Sequence, residues 1–317
     1  MNVTQMNVNE RLKNLIDGLD AAQDVVPLAT QPLGKAVFVG SGDSLSSALL
    51  ATSTGHRALS SGDLTWTGRL PFDTDMVVGI SHSGSSAATV RSLQVARDKG
   101  TRTIAITSNA SSPLAAAADE VQLVPALRLQ ERIPSAGHLM LGLGVAALLG
   151  IETKNATSDL ARLITRQVPV IENSIGELPA QPVGISVLTL PELRCAGDFW
   201  MLKLIEAVGI TVRTVALEES GHVDYFLGPE PRLALQLAGA DGADRFKRLA
   251  TALESTGQTV SRIDFVPPVE RDLRSNILFE LAAAAAGAMW ADAAAEAWGR
   301  PPFRGGAVNM DASHIQL

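Results

Sequence analysis

The chain has a single cysteine, Cys195, which excludes an internal disulfide and any cysteine-based metal cluster. It has no run of lysines or arginines, and its formal net charge is −7, so nucleic acid and anionic membrane surfaces are poor partners. Groups of His, Asp and Glu at metal-ligand spacing are missing too, so no metal is expected. The first twenty residues are polar and acidic and do not read as a signal peptide. The most apolar long segment, Ile277 to Trp298, carries Glu280, Asp292 and Glu296, which argues against a bilayer span. Together these absences lead to the expectation of a cytoplasmic protein. What is present is an ordinary soluble composition, 46% hydrophobic and 19% charged, over 317 residues, enough for about two domains or one duplicated unit.

The most informative stretch runs from Asp75 to Val90. Met76, Val77, Val78 and Ile80 form the short apolar run of a parallel strand covered on both faces. The turn Ser81-His82-Ser83-Gly84-Ser85-Ser86 then supplies four hydroxyls, a glycine that lets backbone approach a ligand, and the first amides of a following helix. Such amides attract an anion, and phosphate is the natural occupant. Taken alone, a serine-rich helix cap accounts for the turn equally well.

In chain order, Asn9 to Val25 reads as an amphipathic helix and Lys35 to Val39 as a first strand. That strand ends in Gly40-Ser41-Gly42-Asp43-Ser44 and is followed by a helix from Leu45 to Thr54. The glycines suggest a dinucleotide loop, but Leu45 stands where its third glycine should be, and no acidic residue closes a following strand. Ala87 to Lys99 is helical, Thr101 to Thr107 a strand, Pro113 to Ala118 a short helix and Val121 to Val124 a strand. Four strands alternating with helices predict a doubly wound parallel sheet with ligands at the carboxyl ends of the strands, where Ser44 and the Ser81 turn both lie.

Four separated segments, Gly40 to Ser44, Ser81 to Ser86, Thr101 to Ala116 and Ala118 to Glu120, resemble in order those of a SIS (sugar isomerase) domain, over roughly residues 35 to 150. The resemblance implies that the serine turn holds the phosphate of a phosphosugar. The implied ligands are Ser44, Ser81, Ser83 and Ser86, with the backbone of His82 and Gly84.

The second half alternates again. Helices are predicted over Met140 to Leu149, Asp159 to Leu178, Gly197 to Val208, Asp244 to Ser255 and Asp272 to Trp298. Strands are predicted over Gly184 to Leu190, Thr211 to Leu217, Arg232 to Gly239 and Gln258 to Phe265. The fold class is therefore α/β, with two SIS-like doubly wound domains, 1–152 and 153–317, each a parallel sheet flanked by helices. The second turn, Leu190-Pro191-Glu192, lacks serines, so only the first domain should hold phosphate.

Lys203 and Glu206 share one helical face, and His222 follows the strand that ends near Leu217, in a loop sixteen positions beyond Glu206. A solvated ion pair and a surface histidine would explain these residues in isolation. The chain also resembles tandem-domain phosphosugar isomerases, which carry a Glu at the end of such a helix and a His beyond the next strand. That resemblance implies Glu206 as the base moving the C1/C2 proton, His222 as the ring-opening acid/base and Lys203 as the group polarising sugar oxygens. It also implies a homodimer with a shared site; an enediol path needs no cofactor, so none is expected. Arg132 and His138 are candidate sugar-end residues, although the segment from Glu131 to Met140 serves equally as a loop capping a helix. The relatives close the site with a C-terminal lysine, whereas here no lysine follows Lys247; His314 is the tail's candidate, unless the tail is a surface arm. The expected activity is aldose/ketose isomerisation of a phosphosugar. The alternatives are an amino-sugar deaminase, a fructosamine deglycase and a non-catalytic sensor.

Overall fold

The computed structural model describes residues 8–29 and 32–300, which contain two separate parallel β-sheets, each clothed by helices. Nine strands alternate with helices among these residues, eight of them at positions the periodicity predicts. By packing, the described residues divide into one unit comprising 19–29, 32–128 and 136–159, and another comprising 8–18, 129–135 and 160–300.

The first sheet contains β1 (Ala36–Gly40), β2 (Arg57–Ser60), β3 (Met76–Ile80), β4 (Arg102–Thr107) and β5 (Glu120–Leu123), in the order β2-β1-β3-β4-β5. All neighbours are parallel. β1 and β3 are buried along their whole length, as their unbroken apolar sequence requires. Strand β2 and the helix after it, α3 (Ser61–Thr67), were not predicted. The strand is four residues long, at the sheet edge, and only Ala58 and Leu59 in it are apolar, so it carries almost no pattern. The helix is set by a capping box, in which Ser60 accepts from the Gly62 amide and Asp63 from the Ser60 amide. The predicted helix 45–54 is a short helix, α2 (Asp43–Leu49), continued by a 3-10 turn over Leu50–Thr54. One face of the sheet packs Val37, Val39, Val77 and Ala105 against Leu64 of α3, Leu93 and Ala96 of α4 (Ala87–Asp98) and Leu114 of α5 (Pro113–Ala117). Helix α6 (Ala136–Leu148) begins four residues earlier than predicted and is buried along almost its whole length.

The second sheet has the order β7-β6-β8-β9, formed by β6 (Gly184–Thr189), β7 (Thr211–Ala216), β8 (Leu233–Ala238) and β9 (Thr259–Asp264). It too is parallel throughout. Leu188, Ala234 and Ala238 pack with Phe246, Leu249 and Leu253 of α10 (Ala243–Glu254) and Leu217 of α9 (Leu217–Val223). By length and composition alone the 25-residue α11 (Leu273–Ala297) is apolar enough to cross a membrane, but its most apolar window lies wholly inside the protein, in keeping with the expectation that it is not a bilayer span. Its alanines let α8 (Arg194–Val208) approach closely. A Cβ on Gly287 would come within 2.6 Å of Trp200, whose indole N–H donates to the Ala283 carbonyl at 2.8 Å. Trp200 also meets Trp290, with ring centroids 5.9 Å apart.

Candidate functional site

In a parallel sheet of order 2-1-3-4-5 the connections leaving the first and third strands pass to opposite faces, which opens a crevice at their carboxyl ends. Here β1 leads into Ser41–Ser44 and β3 into Ser81–Ser86, so both hydroxyl-rich turns border that crevice. The turns are tightly built. A Cβ on Gly40 would lie 2.5 Å from the backbone of Ser44, so β1 reaches α2 this closely only with glycine at its end. Gly84 has φ +69°, and a Cβ there would lie 2.1 Å from Ser112 Oγ and 2.9 Å from Thr107 Oγ1.

The β3–α4 turn is anchored from beneath and open above. The His82 carbonyl accepts from the Ser108 amide at 3.0 Å, Thr107 Oγ1 at 3.0 Å and Ser108 Oγ at 2.8 Å. The Gly84 carbonyl accepts from the Leu114 amide at 3.0 Å. Ser81 is buried, Ser83 and Ser85 are exposed, and the hydroxyls of Ser83 and Ser85 bond each other at 2.7 Å. Ser86 stands at the N-cap of α4 but makes no side-chain cap bond; its Oγ instead accepts from Thr89 Oγ1 at 3.0 Å. The first amides of α4 thus lack a side-chain acceptor, and together with the exposed hydroxyls they form a neutral, donor-rich cradle suited to an anion. The His82 ring lies beside Gly137, and burial holds its pKa below 6.5, so it adds no charge near neutral pH.

The equivalent crevice of the second sheet, between the ends of β6 and β8, is filled by the chain itself. Glu192 Oε1 accepts from the Asp241 amide at 3.3 Å and lies 2.5 Å from where a Cβ on Gly239 would stand. Its Oε2 pairs with Arg271 at 3.3 Å. An internal carboxylate there replaces the open serines of the first sheet.

Lys203 and Glu206 are brought together on α8, where Lys203 Nζ donates to Glu206 Oε2 at 2.9 Å. The pair is not a solvated one: Lys203 is 1% exposed, with its ammonium 5.0 Å from the Phe199 ring centroid, whereas the Glu206 side chain is 36% exposed. The lysine charge is spent on orienting a carboxylate that reaches solvent. His222 is exposed and lies on α9, so the expectation of a loop is corrected. The reason is local, since Leu217 and Ser220 of this short helix are buried. Two residues further on, Asp224, fully buried, accepts from Ser186 Oγ at 2.5 Å and from Arg213 at 2.6 Å, tying the segment to β6 and β7. No sequence pattern had marked Asp224 or Arg213.

The other expected residues stand as follows. His138 is 2% exposed, and its Nδ1 lies 2.9 Å from Ser47 Oγ and 3.2 Å from the Asp43 carbonyl, bracing α2. Arg132 pairs through Nε with the buried Asp292 at 3.2 Å. His314 lies outside the described residues. Among the described residues no group of His, Cys, Asp and Glu could hold a metal ion.

The family model of the SIS domain matches residues 34–147, and that part of the chain, with its 2-1-3-4-5 sheet and serine turn, is a SIS domain. Solved structures extend the likeness to nearly the whole chain, whose fold is that of the two-sheet SIS proteins. Glucosamine-6-phosphate deaminase from Thermotoga maritima superposes with a TM-score of 0.71 at 20% identity, covering 95% of this chain and 97% of that one. Tagatose-6-phosphate ketose/aldose isomerase from Escherichia coli gives 0.69 at 16% identity, with 95% and 90% covered. The C-terminal domain of glucosamine-fructose-6-phosphate aminotransferase from Francisella tularensis gives 0.70 at 12% identity, with 94% and 96% covered. No curated protein matches the chain in sequence.

Proposed function

We propose that the protein is a phosphosugar aldose/ketose isomerase that works through a cis-enediol, in the cytoplasm and as a homodimer. The observation that carries the reading is the Ser81–Ser86 turn, whose exposed hydroxyls and uncapped α4 amides face the β1/β3 crevice and suit a phosphate without fixed positive charge. Ser44, Ser81, Ser83 and Ser86 donate through their hydroxyls, and the backbone of His82 and Gly84 completes the cradle.

Proton transfer falls to the second half. Isomerisation needs a base that removes a proton from one of C1 and C2 and returns it to the other. It also needs a group that opens the ring by moving protons between oxygens. Glu206 is the carboxylate for the first task, because it reaches solvent while its inner oxygen is held by a buried ammonium. An exposed imidazole, His222, suits the second. Lys203 acts through Glu206 rather than on the sugar directly, being buried beneath it. An enediol path needs no cofactor.

A second reading, amine release from a 6-phosphorylated amino sugar or fructosamine, is favoured by the likeness to the Thermotoga maritima deaminase. It would use the same phosphate cradle and the same carboxylate. The test is proton NMR in deuterated buffer with fructose 6-phosphate, glucosamine 6-phosphate and a fructosamine 6-phosphate. Deuterium entering C1 or C2 with aldose appearing, and both lost in Glu206→Gln while phosphate-dependent binding persists, is the expected result. Full turnover in Glu206→Gln would overturn the assignment, amine release would establish the second reading, and binding without turnover would mark a sensor.

A further inference from the structure

The first unit has a second concave site, at the opposite end of its sheet from the serine turn. A cavity of about 340 Å³ opens where β1 and β2 begin and where the chain enters β3, and Gly34, Gly55, His56, Arg57, Phe72 and Asp73 are among its walls. The run of β1 from Ala36 to Gly40 puts it about 13 Å from the phosphate cradle at the strand rise of a parallel sheet. Its volume is within the range of small-molecule sites.

Three features of the walls define what fits. Arg57, exposed on the edge strand β2, has no ion pair or side-chain hydrogen bond among the described residues, so its guanidinium fork is open to a bidentate anion. The only acid among the described residues of the walls, Asp73, is already paired with Lys35 at 3.1 Å. The second feature is His56. Its Nδ1 accepts the Ala36 amide at 3.4 Å, which places the ring proton on Nε2 and makes that nitrogen a donor; burial lowers its pKa and keeps the ring neutral. The third is Phe72, which is 94% exposed and so presents a bare apolar plate at the cavity wall. A Cβ on Gly55 would meet nothing within 4 Å, so the cavity is open at that wall.

We propose that this cavity binds a small anion carrying a flat ring, of the nucleoside monophosphate class, with the anion on Arg57 and the ring on Phe72. The bidentate contact supplies orientation and the aromatic face supplies apolar area. His56 donates to a ring or sugar oxygen. The site is independent of the phosphosugar reading, since it shares no residue with the serine turn.

The test is isothermal titration of the whole protein with adenosine 5′-monophosphate, adenosine and inorganic phosphate, together with NMR of the His56 ring protons. The monophosphate should bind more tightly than either fragment and shift the His56 resonances. Arg57→Ala should weaken it about tenfold and Phe72→Ala about fivefold, as loss of a charge-assisted pair and of a stacking face imply. Both side chains are exposed, so the variants should fold as the parent does. Ser83→Ala should leave monophosphate binding unchanged. No monophosphate binding at millimolar concentration would overturn the proposal, as would affinity unchanged in Arg57→Ala and Phe72→Ala or binding lost in Ser83→Ala, the last placing the ligand on the serine turn.

Discussion

The Glu280 carboxylate of α11 lies 2.5 Å from the Cys195 amide and closes the N-terminus of α8, the helix that carries Lys203 and Glu206. Leu193, at the N-cap position of α8, has no polar side chain, so an acid 85 residues downstream does the capping. Burial pushes the Glu280 pKa up to about 8, with the charge of Glu192 adding to it, while the Cys195 and Ala196 amides and Arg194 oppose it.

A pH dependence of stability follows from this acid. Its native pKa is above the unfolded value of 4.5, so its contribution is complete below that value and is lost as pH rises toward about 8. One such group gives a slope approaching about 1.4 kcal/mol per pH unit. Urea unfolding of the parent between pH 5 and 8 should show this loss. Glu280→Gln, which keeps an acceptor oxygen but has no proton to release, should show a flatter profile. Glu280→Ala should lose about 2 kcal/mol at pH 5 by uncapping the helix. Identical slopes in parent and Gln variant would contradict the account.

Gly84→Ala should be costly in both stability and ligand binding. The residue sits at φ +69°, and the added methyl would meet Ser112 Oγ at 2.1 Å, a hydroxyl that caps α5 by accepting the Ala115 amide. Thermal unfolding should report a loss of about 2–4 kcal/mol, the combined scale of backbone strain and overpacking. Phosphate affinity should fall at least tenfold as the turn shifts. Gly100→Ala is the control: its φ is +72°, but its Cβ would meet nothing, so only about 1 kcal/mol of strain is expected.

Asp224→Ala should loosen the segment that bears His222. The buried carboxylate gathers Ser186 and Arg213, and the Asp224 carbonyl accepts from Gln258 at 2.7 Å. Removing it strands a partly buried guanidinium and should cost about 2–4 kcal/mol. Hydrogen exchange should accelerate over 217–227 more than over β8. Uniform acceleration across the unit would mean that Asp224 supports the fold at large and not this segment.

Gly287→Ala adds one methyl where α11 meets α8, at 2.6 Å from Trp200. Because Trp200 is locked by its bond to Ala283 and by Trp290, the helices must separate, at a cost of about 1–3 kcal/mol. Tryptophan fluorescence and near-ultraviolet circular dichroism should change with it. An unperturbed spectrum would show that the seam has slack.

The two sheets were legible because parallel strands covered on both faces need apolar runs, and these stand out unbroken in Ala36–Gly40 and Met76–Ile80 and as shorter stretches, Ile104-Ala105-Ile106 and Val187-Leu188, in β4 and β6. The serine turn was legible for a related reason, since its hydroxyls and glycine follow directly on such a run. Edge strand β2 and the capping-box helix α3 escaped because a strand of one exposed and three half-buried residues and two short turns of helix carry no period.

Sequence by itself determined the α/β alternation, the strand–turn–helix that carries the Ser81–Ser86 turn, and the pairing of Lys203 with Glu206, because each depends on residues within a turn or two of one another. Only the tertiary structure decided that Lys203 is buried and Glu206 is not, that His138 braces α2, that Glu192 occupies the second crevice and that Glu280 caps α8. Those contacts join residues tens of positions apart, and burial, which sets their charge and their partners, is a property of the packed chain that no local pattern records.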